Sequence, residues 1–169
     1  LQAGTQYYIL VDAYSDFSGA NHDFTINCAE GYDPCLSITP VSCGTETTFT
    51  IPAGPGAIDI PSCIAYNNYP DVGKEVIYSY TPTSTGRIAI NVTVTPGWEW
   101  VTYYIKEAAD GCNANNWTCL GGVSSVWTPY FTNPFDVTAG TTYYIMADVG
   151  SMNGASQTFT ITCPEIHNP

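Results

Sequence analysis

Apolar residues along this chain recur at every second position rather than at helical spacing. In Glu75–Tyr80, Val76, Tyr78 and Tyr80 fall on one side and Ile77 and Ser79 on the other. Across 87–95, Ile88, Ile90, Val92 and Val94 share a face. Alternation of this kind places the apolar set of a run on one side of a strand. The stretch 98–106 predicts an aromatic-rich strand, and shorter ones are expected at 47–51, 123–127 and 135–137. Thr, Val, Ile and Tyr fill the runs while Gly and Pro separate them, which is strand-and-turn composition. The best helical candidate, 105–110, is too short to organise a fold. The pattern predicts an all-β fold, an antiparallel two-sheet β-sandwich of jelly-roll or Ig-like appearance.

One pattern occurs twice. AGTQYYILVD at 3–12 returns as AGTTYYIMAD at 139–148. The likeness continues through Phe24 and Ile26 to Cys28, and through Phe159 and Ile161 to Cys163. Fourteen residues match across a one-residue gap, which points to duplication. Each copy reads as two antiparallel strands joined by a glycine-containing loop. Cys28 and Cys163 lie 135 residues apart, an ordinary domain length. The expected organisation is therefore an N-terminal two-stranded ribbon at 1–28, copied from the end of a repeat unit, and a Cys-, Pro- and Gly-containing junction at 29–42. The sandwich domain follows at 43–163, and 164–169 forms a tail or linker to a following unit. A two-stranded ribbon cannot bury its own apolar face, so it should pack on the next domain or complete a neighbour. The chain opens in mid-pattern, as a processed form or a window on something longer would.

Charge narrows the partners. Three Lys and Arg residues stand against fifteen Asp and Glu, for a formal charge of −12. Phosphate neutralisation needs clustered cations, so a nucleic-acid partner is excluded, and so is an anionic lipid surface. No apolar run is long enough to cross a membrane as a helix. Seven cysteines, Cys28, Cys35, Cys43, Cys63, Cys112, Cys119 and Cys163, contain no C-x2-C knuckle, and the two histidines are far apart. Disulfides in an oxidising, extracellular compartment fit this better than a metal site. Spacing favours Cys112 with Cys119, Cys43 with Cys63 and Cys28 with Cys35. Cys163 is then sent to a partner outside the chain, although other pairings fit the spacing too.

Candidate chemistry is sparse. The chain has no G-x-S-x-G, H-E-x-x-H or phosphate loop. His22 aligns with Gln157 of the second copy, so the repeat does not require an imidazole there. Catalytic residues are therefore expected to be absent and the protein is not expected to be an enzyme. Asp12 and Asp148 occupy equivalent strand ends and are the calcium candidates. An Asp at such a position more often caps a turn through its own backbone. Trp98, Trp100, Tyr103, Tyr104, Trp117, Trp127 and Tyr130 crowd one third of the unit. Of these, Trp98, Trp100, Trp117, Trp127 and Tyr130 are candidates for a protein interface or for stacking on glycans, against the plainer reading of core and strand surface. Asn91-Val92-Thr93 and Asn116-Trp117-Thr118 are N-glycosylation sequons, so covalently attached glycans are a further expectation.

GKEVIYSYTPTSTGRIAINV at 73–92, the stretch around Cys112 and Cys119, and FDVTAGTTYYIMADVGSMNGASQTFTITC at 135–163 together resemble the bacterial pre-peptidase C-terminal-type domains. The cysteine-containing form of that module is repeated in large secreted or surface proteins. The resemblance covers roughly 43–163, and 1–28 resembles the end of the same module. It implies a small β-sandwich with an accessory role and no catalytic residue to carry over. Of the acidic residues it implies after the central strand, Glu99 is the nearest candidate. The leading expectation is an extracellular structural protein, a repeating subunit or segment of a cell-surface or secreted filament. Its partners would be further copies of itself, arranged in tandem or head to tail. A carbohydrate- or surface-binding accessory module, or a non-catalytic appendage of a secreted hydrolase, is the alternative.

Overall fold

The computed structural model describes residues 31–58, 60, 72–94, 97–124 and 129–164, together with Tyr8, Ile9 and Phe24. The chain divides into two compact units, Leu1–Glu30 and Gly31–Pro169. In the first, the expected ribbon lies outside the described residues. Tyr8, Ile9 and Phe24 are exposed.

The second unit is all-β. Its strands are β1 (Thr39–Val41), β2 (Glu46–Ile51), β3 (Glu75–Tyr80), β4 (Gly86–Ile88), β5 (Ile90–Val94), β6 (Val101–Glu107), β7 (Thr118–Val123), β8 (Tyr130–Phe131), β9 (Phe135–Val137), β10 (Tyr143–Val149) and β11 (Ala155–Ile161). One sheet has the order β1-β3-β10-β6-β7 and the other β2-β11-β5-β8, while β4 pairs with β9 alone. β1 runs parallel to β3, and the other described pairings are antiparallel. Among the described residues, no helix is long and apolar enough to cross a membrane.

The two sheets bury the alternating apolar faces between them. Tyr78, Tyr103, Ile105, Ile145 and Ala147 from one meet Phe49, Ile51, Ile90, Val92, Phe159 and Ile161 from the other. Each Ile, Val or Phe side chain so removed from water contributes about 1.5–3 kcal/mol. Phe159 sits at the middle, with its ring 5.3 Å from Tyr78, 5.9 Å from Phe49 and 6.0 Å from Tyr103. The outer face of the five-stranded sheet is covered as well. Ile77, Tyr104 and Met146 pack there under Ile58 and Ile60.

Three local expectations are corrected. The run 87–95 is not one strand but two, broken at Ala89. There the Ala89 N–H donates to Thr162 Oγ1 at 2.7 Å, and the Thr162 N–H donates to the Ala89 carbonyl at 2.9 Å. Of the strand expected at 123–127, only Val123 lies in a strand among the described residues, as the last residue of β7, and 125–127 lie outside them. The second copy of the repeat is not a hairpin. β10 pairs with β3 and β6, whereas β11 pairs with β2 and β5 in the opposite sheet. The chain between them arches over the edge of the core at Gly154, whose φ is +78°.

The cysteine pairings expected from spacing are also overturned. Cys35 is bridged to Cys112 and Cys43 to Cys163, across 77 and 120 residues of sequence. Strand pairing, not chain proximity, brings the partners together. β2 lies beside β11, and the Gly44 N–H donates to the Ile161 carbonyl, so Cys43 arrives next to Cys163. Cys163 thus has its partner within the chain. Cys119 is disulfide-bonded too, with a partner outside the described residues.

Candidate functional site

Three polar side chains stand in a row on the outer face of the five-stranded sheet. Asp148 on β10 is opposite Glu75 on β3 and Thr102 on β6. All three are fully buried. The cover is a glycine-rich crossing in which the Gly56 N–H donates to the Val72 carbonyl and the Gly73 N–H to the Val149 carbonyl. A Cβ on Gly73 would lie 2.1 Å from the Ser151 carbonyl oxygen, so only glycine fits. The crossing aims backbone donors at Glu75, whose carboxylate accepts from Ile58 N–H at 2.8 Å and Ala57 N–H at 3.0 Å. The Tyr32 hydroxyl donates to the Glu75 carbonyl, and Lys74 Nζ lies 4.7 Å from the centre of the Tyr32 ring.

Burial governs the ionisation of this end. It holds the Glu75 carboxyl above the ordinary carboxylate range, with Asp33 adding to the rise and the Ala57 and Ile58 donors opposing it. Burial, then the negative charge of Glu75 and Asp148, pushes the Tyr32 phenol up to about 12. The Thr102 hydroxyl meets no hydrogen-bond partner among the described residues. Asp148, a calcium candidate, therefore stands in a buried, oxygen-rich setting with Glu75 as its neighbour. Asp12 lies outside the described residues. Among the described residues, no group of three or more His, Cys, Asp or Glu side chains is placed to hold a metal ion. Glu99 lies in the loop leading into β6, and its carboxylate takes the Ser151 hydroxyl and, at 3.1 Å, the Asn153 amide. It ties one loop to another.

A second polar cluster surrounds Lys106 at the far end of β6. Its ammonium is buried and donates to the carbonyls of Asn113 at 2.9 Å and Asn115 at 3.0 Å, 4.7 Å from the Trp117 ring. Desolvation lowers its pKa, with Asp110 opposing. The Trp117 indole N–H donates to the Asn113 carbonyl at 2.7 Å. Asn116 adopts φ +64°, is exposed, and donates its amide to Asp110 Oδ2 at 3.2 Å. The other sequon residue, Asn91, is half-buried on β5, between Ile90 and Val92 of the core.

The crowded aromatics separate in space. Trp98 is exposed and Trp100 half-buried, just before β6 begins. Trp117 packs beside the opposite end of that strand, roughly 17 Å away at strand rise. Tyr130 packs against the core from β8, Tyr103 is inside it, and Trp127 lies outside the described residues. Elsewhere, an open cleft of about 620 Å³ runs past Arg87, Asp136 and Cys163 and carries one exposed ion pair, Arg87 to Asp136 at 3.0 Å.

Glu75, Thr102 and Lys106 were not apparent as site residues from the sequence. The available signal was their place in the alternation: each shares a strand face with a large apolar residue, Ile77 or Tyr104.

No family model matches the sequence, and no curated protein matches it. Among solved structures, the chain is similar to the pre-peptidase C-terminal domain of a collagenase from Bacillus anthracis. The TM-score is 0.48 at 12% identity, over 75% of this chain and 95% of that one. At that identity no residue role passes from that domain to this chain.

Proposed function

We propose that the chain is an extracellular structural protein, a repeating subunit or segment of a cell-surface or secreted filament held by inter-domain β packing and disulfides. The observation that carries this reading is the duplication: the sequence of β10 and β11 is present again at 3–28. A head-to-tail contact built on such a repeat generates a linear array wherever its rotation does not close a ring. The polar groups of the second unit support the reading through the work they do. Glu75 fixes a covering loop, Lys106 fixes another, and Glu99 ties two together. The disulfides support an oxidising, extracellular setting. Asn91 and Asn116 are proposed glycan acceptors, and Asp12 and Asp148 proposed calcium ligands. Negative-stain electron microscopy of native, unreduced material tests the main reading. Uniform filaments with a repeat near one domain length are expected, and dispersed single particles would overturn it.

A second reading, a carbohydrate- or surface-binding module, is favoured by Trp98, which is 79% exposed. It requires glycan binding that Trp98→Ala abolishes, and a monomer that does not assemble.

A further inference from the structure

The described half-cystines are not equally sheltered. Cys35 and Cys112, bridged to each other, both pack against the cluster of Ile58, Ile60, Ile77, Tyr104 and Met146, and so does Cys119. Cys43 is half-buried and packs against the central core. Its partner Cys163 is exposed and packs against neither cluster. Cys163 instead lines the open cleft of about 620 Å³, together with Arg87, Ala89, Pro134, Asp136 and Thr162, and Cys43 does not line it. Nor does the neighbouring strand end cover the sulfur. Gly44 sits there at φ +72°, and the Cβ it lacks would lie 3.5 Å from Cys163 Sγ.

This bridge also holds a particular element. β2 is an edge strand, with β11 as its hydrogen-bonded neighbour in the sheet. Their register ends at Glu46 opposite Thr160. Cys43 and Cys163 lie just beyond that pair, past the 2.8 Å hydrogen bond from the Gly44 N–H to the Ile161 carbonyl. The bridge therefore staples the start of the edge strand to the end of its neighbour.

We propose that Cys43–Cys163 is a thiol-exchange site, opened by a low-molecular-weight thiol that enters the cleft, and that its opening loosens β2. Exchange proceeds by attack of a thiolate on one sulfur of a disulfide, and access decides which sulfur is attacked. The incoming sulfur bonds to Cys163 Sγ. The bond between Cys163 and Cys43 breaks, and its electron pair leaves on Cys43 Sγ, which takes up the proton that the thiol gave up. Cys163 then carries the small molecule as a mixed disulfide in the cleft, and Cys43 is a thiol against the core. A second thiol, attacking the added sulfur, releases a small-molecule disulfide and returns Cys163 as a thiol. β2 keeps its ladder to β11 throughout and loses only its staple. The site requires no second copy of the chain, so it stands apart from the filament reading.

The test uses the intact chain without denaturant. Free thiols are first blocked with N-ethylmaleimide. Reduced glutathione is added, and samples are quenched at intervals with iodoacetamide. Peptide mapping should find glutathione on Cys163 and the iodoacetamide label on Cys43 while Cys35, Cys112 and Cys119 stay unlabelled. Amide exchange should quicken across 46–51 and stay slow across 75–80 and 143–149. Glutathione on Cys43 would overturn the proposal. So would labelling of Cys35, Cys112 or Cys119 as early as that of Cys43, the lack of any adduct until denaturant is added, or unchanged exchange across 46–51 once the bridge is open.

Discussion

Gln157 is a polar side chain in the middle of an apolar core, and its hydrogen bonds explain why it is tolerated. Its amide oxygen accepts from the Tyr103 hydroxyl at 2.6 Å, and its amide N–H donates to the Val123 carbonyl at 3.3 Å. Tyr103→Phe removes the donor and strands a buried acceptor, a change that costs about 1–3 kcal/mol. Chemical denaturation should show a lower midpoint at unchanged slope. A neutral result would mean that Gln157 finds another partner. Glu75 gives a pH-dependent counterpart. Its carboxyl is raised above 4.5 by burial, so the folded chain keeps the proton to a higher pH than the unfolded one. The stability from this group is complete below the unfolded value and is lost as pH rises through the folded value. Glu75→Gln should flatten that decline in Tm between acid and neutral pH, whereas parallel slopes would assign the decline to another group.

At the scale of elements, the arch between β10 and β11 decides the fold. Gly154 sits at φ +78°, and a Cβ there would lie 2.4 Å from the Ile51 carbonyl oxygen. Gly140 has nearly the same φ, +77°, with nothing within 4 Å of the added carbon. The pair separates backbone strain from collision. Gly140→Ala should cost the left-handed penalty alone, about 1–2 kcal/mol, and Gly154→Ala distinctly more. Equal losses in thermal unfolding would show that the arch yields. The same arch marks what was legible in the sequence. Period-two alternation fixes which residues of β3, β10 and β11 face the core, and these were readable. It says nothing about which strand lies alongside, so Gly154 read as a ribbon turn instead of a crossing between sheets. The cysteine pairs were hidden for the same reason, since Cys43 meets Cys163 only because β2 lies beside β11. In the candidate site, Asp148 was visible through the repeat. Glu75 and Thr102 were not, because the row they form runs across three strands that are distant in sequence.

For the molecule as a whole, charge sets the terms of association. Fifteen carboxylates face three cationic side chains. All three cations are already engaged: Lys106 with loop carbonyls, Lys74 over Tyr32, and Arg87 with Asp136. The last pair is exposed and of the kind that contributes about 0–1 kcal/mol. The remaining charge is carried to any encounter between copies. Two like unit charges at about 10 Å in water repel by about 0.4 kcal/mol, and many such pairs add. The screening length falls from about 30 Å at 0.01 M salt to about 10 Å at 0.1 M, so added salt should remove much of this barrier. Exposed apolar side chains such as Ile9 and Phe24 then supply the attraction, which salt does not weaken. Light scattering from native material should therefore grow faster at about 0.1 M salt than at about 0.01 M. The opposite order would mean that complementary charges hold the copies together. With Lys74 and Lys106 engaged within the fold and Arg87 paired with Asp136, the chain has little cationic surface to provide them.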